Sequence, residues 1–172
     1  MPEFLTVLTP QEIEVRVSAL AETISKDYKG KDLVLIGVLK GAFIFLADLV
    51  RKLSIPATID FTWYSSYGKG DASTGEVTRL AGIRTDVSGK DVLIVEDILD
   101  TGLTLQELVS SLWRLNPSSV RICAFIDKQE RRETDIRADY TGHTVEKGFL
   151  VGYGLDYAEQ YRNFPAIYEL KE

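Results

Sequence analysis

An α/β fold built on a mostly parallel sheet is what the sequence predicts, and two observations carry that prediction. Short continuous apolar runs at 33–38 (LVLIGV), 91–95 (DVLIV) and 120–126 (VRICAFI) have the composition of strands buried on both faces. Between them lie segments with apolar residues at helical spacing, and strands that alternate with helices imply crossover connections and parallel pairing. With 172 residues the chain is long enough for one domain, alone or with a small subdomain, and for a core that needs no staples.

The elements follow in order. Thr9-Pro10-Gln11-Glu12 reads as a capping box with proline at the first helical position, and Ile13, Val17, Leu20 and Ile24 continue one apolar stripe, so a helix is expected over 10–27. Tyr28-Lys29-Gly30-Lys31 ends it ahead of the strand at 33–38. A second helix is expected over 41–53, then a strand over 57–64 with Ile59, Phe61 and Trp63 on one face. Residues 65–75 (SSYGKGDASTG) lack hydrophobic anchors; a loop of that length is either a functional lid or disordered, and 76–83 is expected to return as the second arm of a hairpin. The strand at 91–95 feeds an acidic segment and a helix over 103–115 that stops before Asn116-Pro117, and strands at 120–126 and 149–151 complete the set.

Composition narrows the function classes. Apolar residues make up 45% and charged residues 27%, an ordinary globular balance, and no apolar run approaches the length that crosses a bilayer. MPEFLTVLTP has no basic region followed by an apolar stretch, so no secretory signal is expected. A single cysteine, Cys123, suits a reducing compartment, and the cytoplasm is the expected location. The net charge of −6 argues against nucleic acid or an anionic membrane as partner, since such surfaces are held by many neutralised phosphates. A small anionic substrate remains compatible, because a few backbone N–H groups, a cation or two and a metal are enough to hold it.

In parallel sheets ligands sit beyond the carboxyl ends of the strands, so the residues after 38, 95 and 126 are the candidates. After Val95 the chain reads Glu96-Asp97-Ile98-Leu99-Asp100-Thr101-Gly102-Leu103-Thr104 and enters a helix. The Thr-Gly-x-Thr turn at a helix N-terminus is an anion cradle, with free amide donors and the positive dipole end. A cap needs one acid, yet three are present; Glu96 and Asp97 at the end of an apolar strand imply hydroxyls, a cation or a metal to hold them. Glycine pairs at Gly68/Gly70 and Gly152/Gly154 do not lead from a strand into a helix, so they are not dinucleotide fingerprints. His143 and Cys123 lack partners for a triad or metal site, and read as a surface histidine and a buried strand cysteine.

VLIVEDILDTGLTL resembles the ribose-phosphate signature of the purine phosphoribosyltransferases, and most closely their 6-oxopurine branch. LIGVLKGA (35–42) is similar to the pyrophosphate loop of that family, SSYG to its lid, and GFLVGYGLDYAEQYRNFP (148–165) to its purine-binding segment. The resemblance implies a type I phosphoribosyltransferase fold in a single domain over 1–172, with a core of about 28–145 and a small hood from about 1–27 and 146–172. It implies transfer of the 5-phosphoribosyl group of phosphoribosyl pyrophosphate (PRPP) to N9 of hypoxanthine or guanine, in a homodimer or homotetramer dependent on Mg²⁺.

The site residues it implies are these. Lys40 and Gly41 would bind pyrophosphate, after a peptide bond that is often cis in the family; Arg162 would join them. Glu96 and Asp97 would face the ribose hydroxyls directly or through Mg²⁺, with Asp156 as a further metal carboxylate. Thr101, Gly102 and Thr104 would hold the 5′-phosphate, and Asp100 would be the general base at purine N7. Lys128 would reach the 6-oxo group, Phe149 would stack on the base, and backbone groups of Leu150, Val151 and Asp156 would read its edge. Ser66 and Tyr67 would belong to the lid. One departure stands out: Glu146-Lys147-Gly148-Phe149 replaces the family's Pro-Asp-Lys-Phe or Pro-Asp-Glu-Phe, so the lysine falls one position early.

Two rival readings are separable by sequence. A PRPP- or nucleotide-sensing regulator on the same fold need not keep Asp100 or a full purine segment, and would bind nucleic acid poorly at this charge. An adenine or orotate phosphoribosyltransferase would not be expected to carry Lys128 and Phe-Leu-Val-Gly-Tyr.

Overall fold

A computed structural model describes residues 2–66 and 77–171. Its main sheet has six strands in the order β4-β3-β2-β5-β6-β7: β2 (Leu33–Leu39), β3 (Thr58–Ser66), β4 (Val77–Ala81), β5 (Asp91–Leu99), β6 (Ser119–Lys128) and β7 (Tyr140–Val145). All neighbours pair parallel except β3 and β4, which form the expected hairpin. Three further strands, β1 (Glu3–Leu8), β8 (Leu150–Val151) and β9 (Ile167–Lys171), make a small antiparallel sheet in the order β1-β9-β8. The helices are α1 (Pro10–Asp27), α2 (Phe43–Lys52) and α3 (Leu103–Trp113).

The apolar runs are continuous because both faces of the sheet are covered. Leu33, Leu35, Leu93, Val95, Cys123 and Phe125 join one buried cluster with residues of α1 and α2. Val34, Ile36, Val92, Ile94, Ile122 and Ala124 join the other, under Leu105, Leu108 and Leu112 of α3. Because strand residues point alternately to the two faces, each run divides between both cores. At the start of α1, Thr9 and Glu12 form the reciprocal capping box. Helix α1 packs against α2 and β7, so of residues 1–27 only β1 goes to the small sheet.

Several bounds differ from expectation. The strand expected at 91–95 runs on to Leu99, because pairing with β6 continues through Glu96↔Ala124, Ile98↔Ile126 and Leu99↔Asp127. Helix α2 starts at Phe43 rather than 41, and α3 ends at Trp113 rather than 115. Strands β1, β7 and β9 were not expected. His143 therefore lies on β7 and is half-buried, not a simple surface histidine, and burial lowers its pKa. Cys123 is fully buried, which pushes its thiol pKa up.

Candidate active site

The carboxyl ends of β2, β5 and β6 converge with the 152–162 segment. The Leu39–Lys40 peptide at the end of β2 is cis, and it leads into Gly41. A Cβ at Gly41 would fall onto the Asp97 carboxylate, and one at Gly154 (φ 98°) would fall onto the Gly41 carbonyl oxygen. Only residues without a side chain allow β5, the loop after β2 and the C-terminal segment to approach this closely. From that segment Arg162 donates Nη1 to the Gly154 carbonyl (2.7 Å) and pairs through Nη2 with Asp156 (3.1 Å) and Glu159 (3.2 Å). Glu159 also accepts from Lys40 Nζ at 2.7 Å.

Glu96 and Asp97 are adjacent acids near the end of β5. The Asp97 N–H donates to Glu96 Oε1 (3.1 Å) and the Ile98 N–H to Asp97 Oδ1 (2.9 Å). Burial pushes both pKa values up, and the Asp97 charge raises Glu96 further; the Arg162 guanidinium acts the other way on Asp97 without cancelling the rise. Among the described residues no three acids, histidines or cysteines gather as a ready-made metal cage. The buried Glu96 carboxyl and the half-buried Asp97 beside it nevertheless suit a magnesium ion that takes its other ligands from bound oxygens and water. Asp156 lies apart from that pair in bonding terms, engaged by Arg162 and by the Glu159 N–H (2.8 Å).

Asp100 follows directly. Its Oδ1 is buried with no hydrogen-bond partner among the described residues, and its Oδ2 lies 3.6 Å from Lys128 Nζ and 3.9 Å from Arg131 Nη1. A carboxylate oxygen left unpaired in the interior is costly, so it marks a place where a proton donor is to arrive. Lys128, at the end of β6, is only 5% exposed, and its ammonium donates to the Gly148 carbonyl at 3.1 Å. The next turn, Thr101-Gly102, opens α3: Gly102 is left-handed (φ 85°), the Thr101 hydroxyl accepts the Leu103 N–H (3.3 Å), and no acid stands in the first helical turn. Thr104 lies in that turn, half-buried.

The segment around β8 is held by the small sheet. Leu150 and Val151 are buried and pair with Glu169 and Tyr168, while Phe149 is 37% exposed with its ring edge-on to Tyr157 at 5.4 Å. Gly148 has φ 110°, a backbone that a lysine there would adopt only under strain, which suits the lysine at 147 instead. Ser66 closes β3 through backbone pairing with Val77; Tyr67 and the rest of the expected lid up to residue 76 lie outside the described residues.

Two residues were missed in sequence. Arg132 sits in the charged run DKQERRETDIR (127–137), a composition that usually marks a solvated face. It is instead half-buried and donates to the carbonyls of Leu99 (3.2 Å), Asp100 (2.8 Å), Lys128 (3.0 Å) and Ile136 (3.1 Å), and to the Asp127 carboxylate (2.6 Å). It thereby ties the loop after β5 to the loop after β6. Glu159, between Lys40 and Arg162, is the other; the contacts that tie each to the site, Arg132 to the Leu99 and Asp100 carbonyls and Glu159 to Lys40, span 32 to 119 positions of chain and leave no local signal.

Comparison with known proteins gives a consistent result. The phosphoribosyl transferase domain family matches residues 5–158. A hypoxanthine-guanine phosphoribosyltransferase of Dictyostelium discoideum is 44% identical over 170 residues, covering 96% of this chain and 94% of the relative. A hypoxanthine phosphoribosyltransferase of Salmonella typhimurium is 42% identical over 170 residues, covering 97% and 96%. The crystal structure of a hypoxanthine phosphoribosyltransferase from Staphylococcus aureus superposes with a TM-score of 0.91 at 43% identity, over 96% of this chain and 90% of that one.

Proposed function

We infer that this chain, which belongs to the phosphoribosyl transferase family, is a purine-salvage hypoxanthine (guanine) phosphoribosyltransferase that uses PRPP. The observation that carries the reading at the site is the unpaired, buried Asp100 Oδ1, set between a buried lysine and an α-helix N-terminus.

Each part of the substrate then has a place. The amides at the start of α3, with Thr101, Gly102 and Thr104, hold the 5′-phosphate at the positive end of the helix. Lys40, Gly41 and Arg162 take the pyrophosphate. Glu96 and Asp97 receive the ribose hydroxyls; with Asp156 they are the residues that would hold Mg²⁺, which when bound offsets the leaving group's charge. Phe149 covers one face of the purine, the Lys128 ammonium meets the 6-oxo group, and backbone groups of Leu150, Val151 and Asp156 read the edge. Ser66 and Tyr67 belong to the lid that excludes water.

The chemistry is a substitution at the anomeric carbon. The bond from that carbon to the pyrophosphate oxygen breaks, N9 of the purine bonds to the carbon from the opposite face, and the N7 proton passes to Asp100. An ordinary aspartate is a weak base, so its negative charge beside a cation-like ring and its fixed position do much of the work. Products are the nucleoside monophosphate and pyrophosphate.

Exposed Ile59, Phe61 and Trp63 at alternate positions of β3, with exposed Phe43 on α2, support assembly as a homodimer or homotetramer, and the lone buried Cys123 a cytoplasmic setting. The direct test is a spectrophotometric assay of hypoxanthine, guanine, xanthine and adenine with PRPP and Mg²⁺. Turnover of hypoxanthine or guanine with release of pyrophosphate is expected; turnover of adenine alone, or of none, would overturn the reading.

A further inference from the structure

The two cations assigned to pyrophosphate already hold an anion in the protein itself. Glu159 Oε2 accepts from Lys40 Nζ at 2.7 Å, and Glu159 Oε1 pairs with Arg162 Nη2 at 3.2 Å. One carboxylate thus uses one oxygen for each cation. The backbone that places it there is an unfavourable one for this sequence. Tyr157 and Gln160 exchange both backbone hydrogen bonds (3.1 and 3.0 Å), so Ala158 and Glu159 are the two central residues of a tight hairpin turn. Both have positive φ, 50° and 64°, as a type I′ turn requires. Asn-Gly is the comfortable sequence for that turn, whereas Ala-Glu is strained in it. The Asp156 carboxylate helps to hold the turn by accepting the Glu159 N–H at 2.8 Å. Glu159, Lys40 and Arg162 side chains are 62%, 46% and 20% exposed, so water can re-solvate the carboxylate once it is displaced.

We propose that Glu159 is an internal competitor for pyrophosphate: it neutralises Lys40 and Arg162 in the empty enzyme and must leave both when PRPP or pyrophosphate binds. It is a positioning residue that tunes substrate affinity and product release. The inference rests on the reading of Lys40 and Arg162 as the pyrophosphate residues. Two weak, solvent-screened ion pairs are enough for a measurable competition but too little to block a multiply charged ligand. The lowered pKa of Glu159, caused first by its bond to Lys40, keeps the competitor charged across the neutral range.

The test is calorimetric titration of inorganic pyrophosphate into the full chain and into Glu159→Gln, Lys40→Met, the double variant, and Glu22→Gln. Glu22 is an exposed acid on α1 paired with Lys26 and controls for the loss of one negative charge. Glu159→Gln is expected to bind pyrophosphate about two- to tenfold tighter, with the KM for PRPP falling in parallel and kcat equal or lower. A variant that merely damaged the fold would lose affinity rather than gain it. Lys40→Met is expected to bind more weakly, and most of the gain from Glu159→Gln should vanish in its background. Unchanged or weaker binding by Glu159→Gln, or an equal gain in Glu22→Gln, would overturn the inference while leaving the site assignment intact if Lys40→Met still weakens binding. Unaltered binding by Lys40→Met would instead overturn that assignment and the competitor with it.

Discussion

Glu96 and Asp97 stand in the interior with their pKa values raised, chiefly by burial. A carboxyl that keeps its proton longer folded than unfolded makes the folded state bind more protons. Stability is therefore lost as pH rises above the unfolded value, near 4.5 for Glu96, through the raised folded one. Glu96→Gln removes that penalty. The ligand-free variant is expected to melt above the natural protein, with the gap widening as pH rises above the ordinary carboxyl value of 4.5, while its affinity for PRPP with Mg²⁺ falls. Calorimetric melting at several pH values checks this; a gap that is constant or absent would contradict the account of the pair. At this scale the sequence was most legible where the chemistry is contiguous. Glu96 to Thr104 is one run, so three acids ahead of a helix N-terminus stand out together, and the resemblance of that run is what names Asp100 as the proposed base. Arg132 could not, because it reaches carbonyls up to 33 positions away, and Glu159 could not, because Lys40 is 119 positions distant.

Among the elements, β2, β5 and β6 were readable because both faces are covered and the runs contain little but apolar residues. The missed strands are those whose surroundings, rather than composition, make them strands. Half of the β1 residues are exposed, β7 reads Tyr-Thr-Gly-His-Thr-Val, and β9 ends in Glu-Leu-Lys. Gly142 in β7 looks like a strand breaker, yet a Cβ there would strike the Phe125 ring and carbonyl, so glycine is what lets β7 lie against β6. The loops after β5 and β6 owe their relative position to Arg132. Lysine offers one ammonium where five acceptors are held by a planar fork. Arg132→Lys is expected to cost about 2 kcal/mol of stability and to lower kcat by more than it changes the KM for PRPP, since it loosens Asp100 against Lys128. Urea unfolding and steady-state kinetics test it together; a variant with ordinary kinetics would make Arg132 a stabiliser only.

Across the whole molecule, the proposed site would let an acidic chain with a net charge of −6 hold highly phosphorylated ligands through a local constellation: a helix N-terminus, Lys40, Lys128, Arg162, and acids proposed for hydroxyls and metal. The charge total argues against a polyanion-binding surface and says nothing about the pocket. Protection should follow the same architecture. In amide hydrogen exchange of the free protein, β2, β5 and β6 are expected to be slowest, and the exposed β4 and β1 fastest, because sub-global opening starts where few buried contacts resist it. Slow exchange in β4 or rapid exchange in β5 would contradict that order.

The central claim is that the unpaired oxygen of Asp100 receives the purine proton, and steady-state kinetics of Asp100→Asn with hypoxanthine and PRPP test it most directly. Asparagine preserves the shape of the loop and removes the charge and the base. The predicted result is a kcat lower by about 10²- to 10⁴-fold with the KM for PRPP changed by no more than about threefold; a kcat within about twofold of the natural enzyme would contradict it.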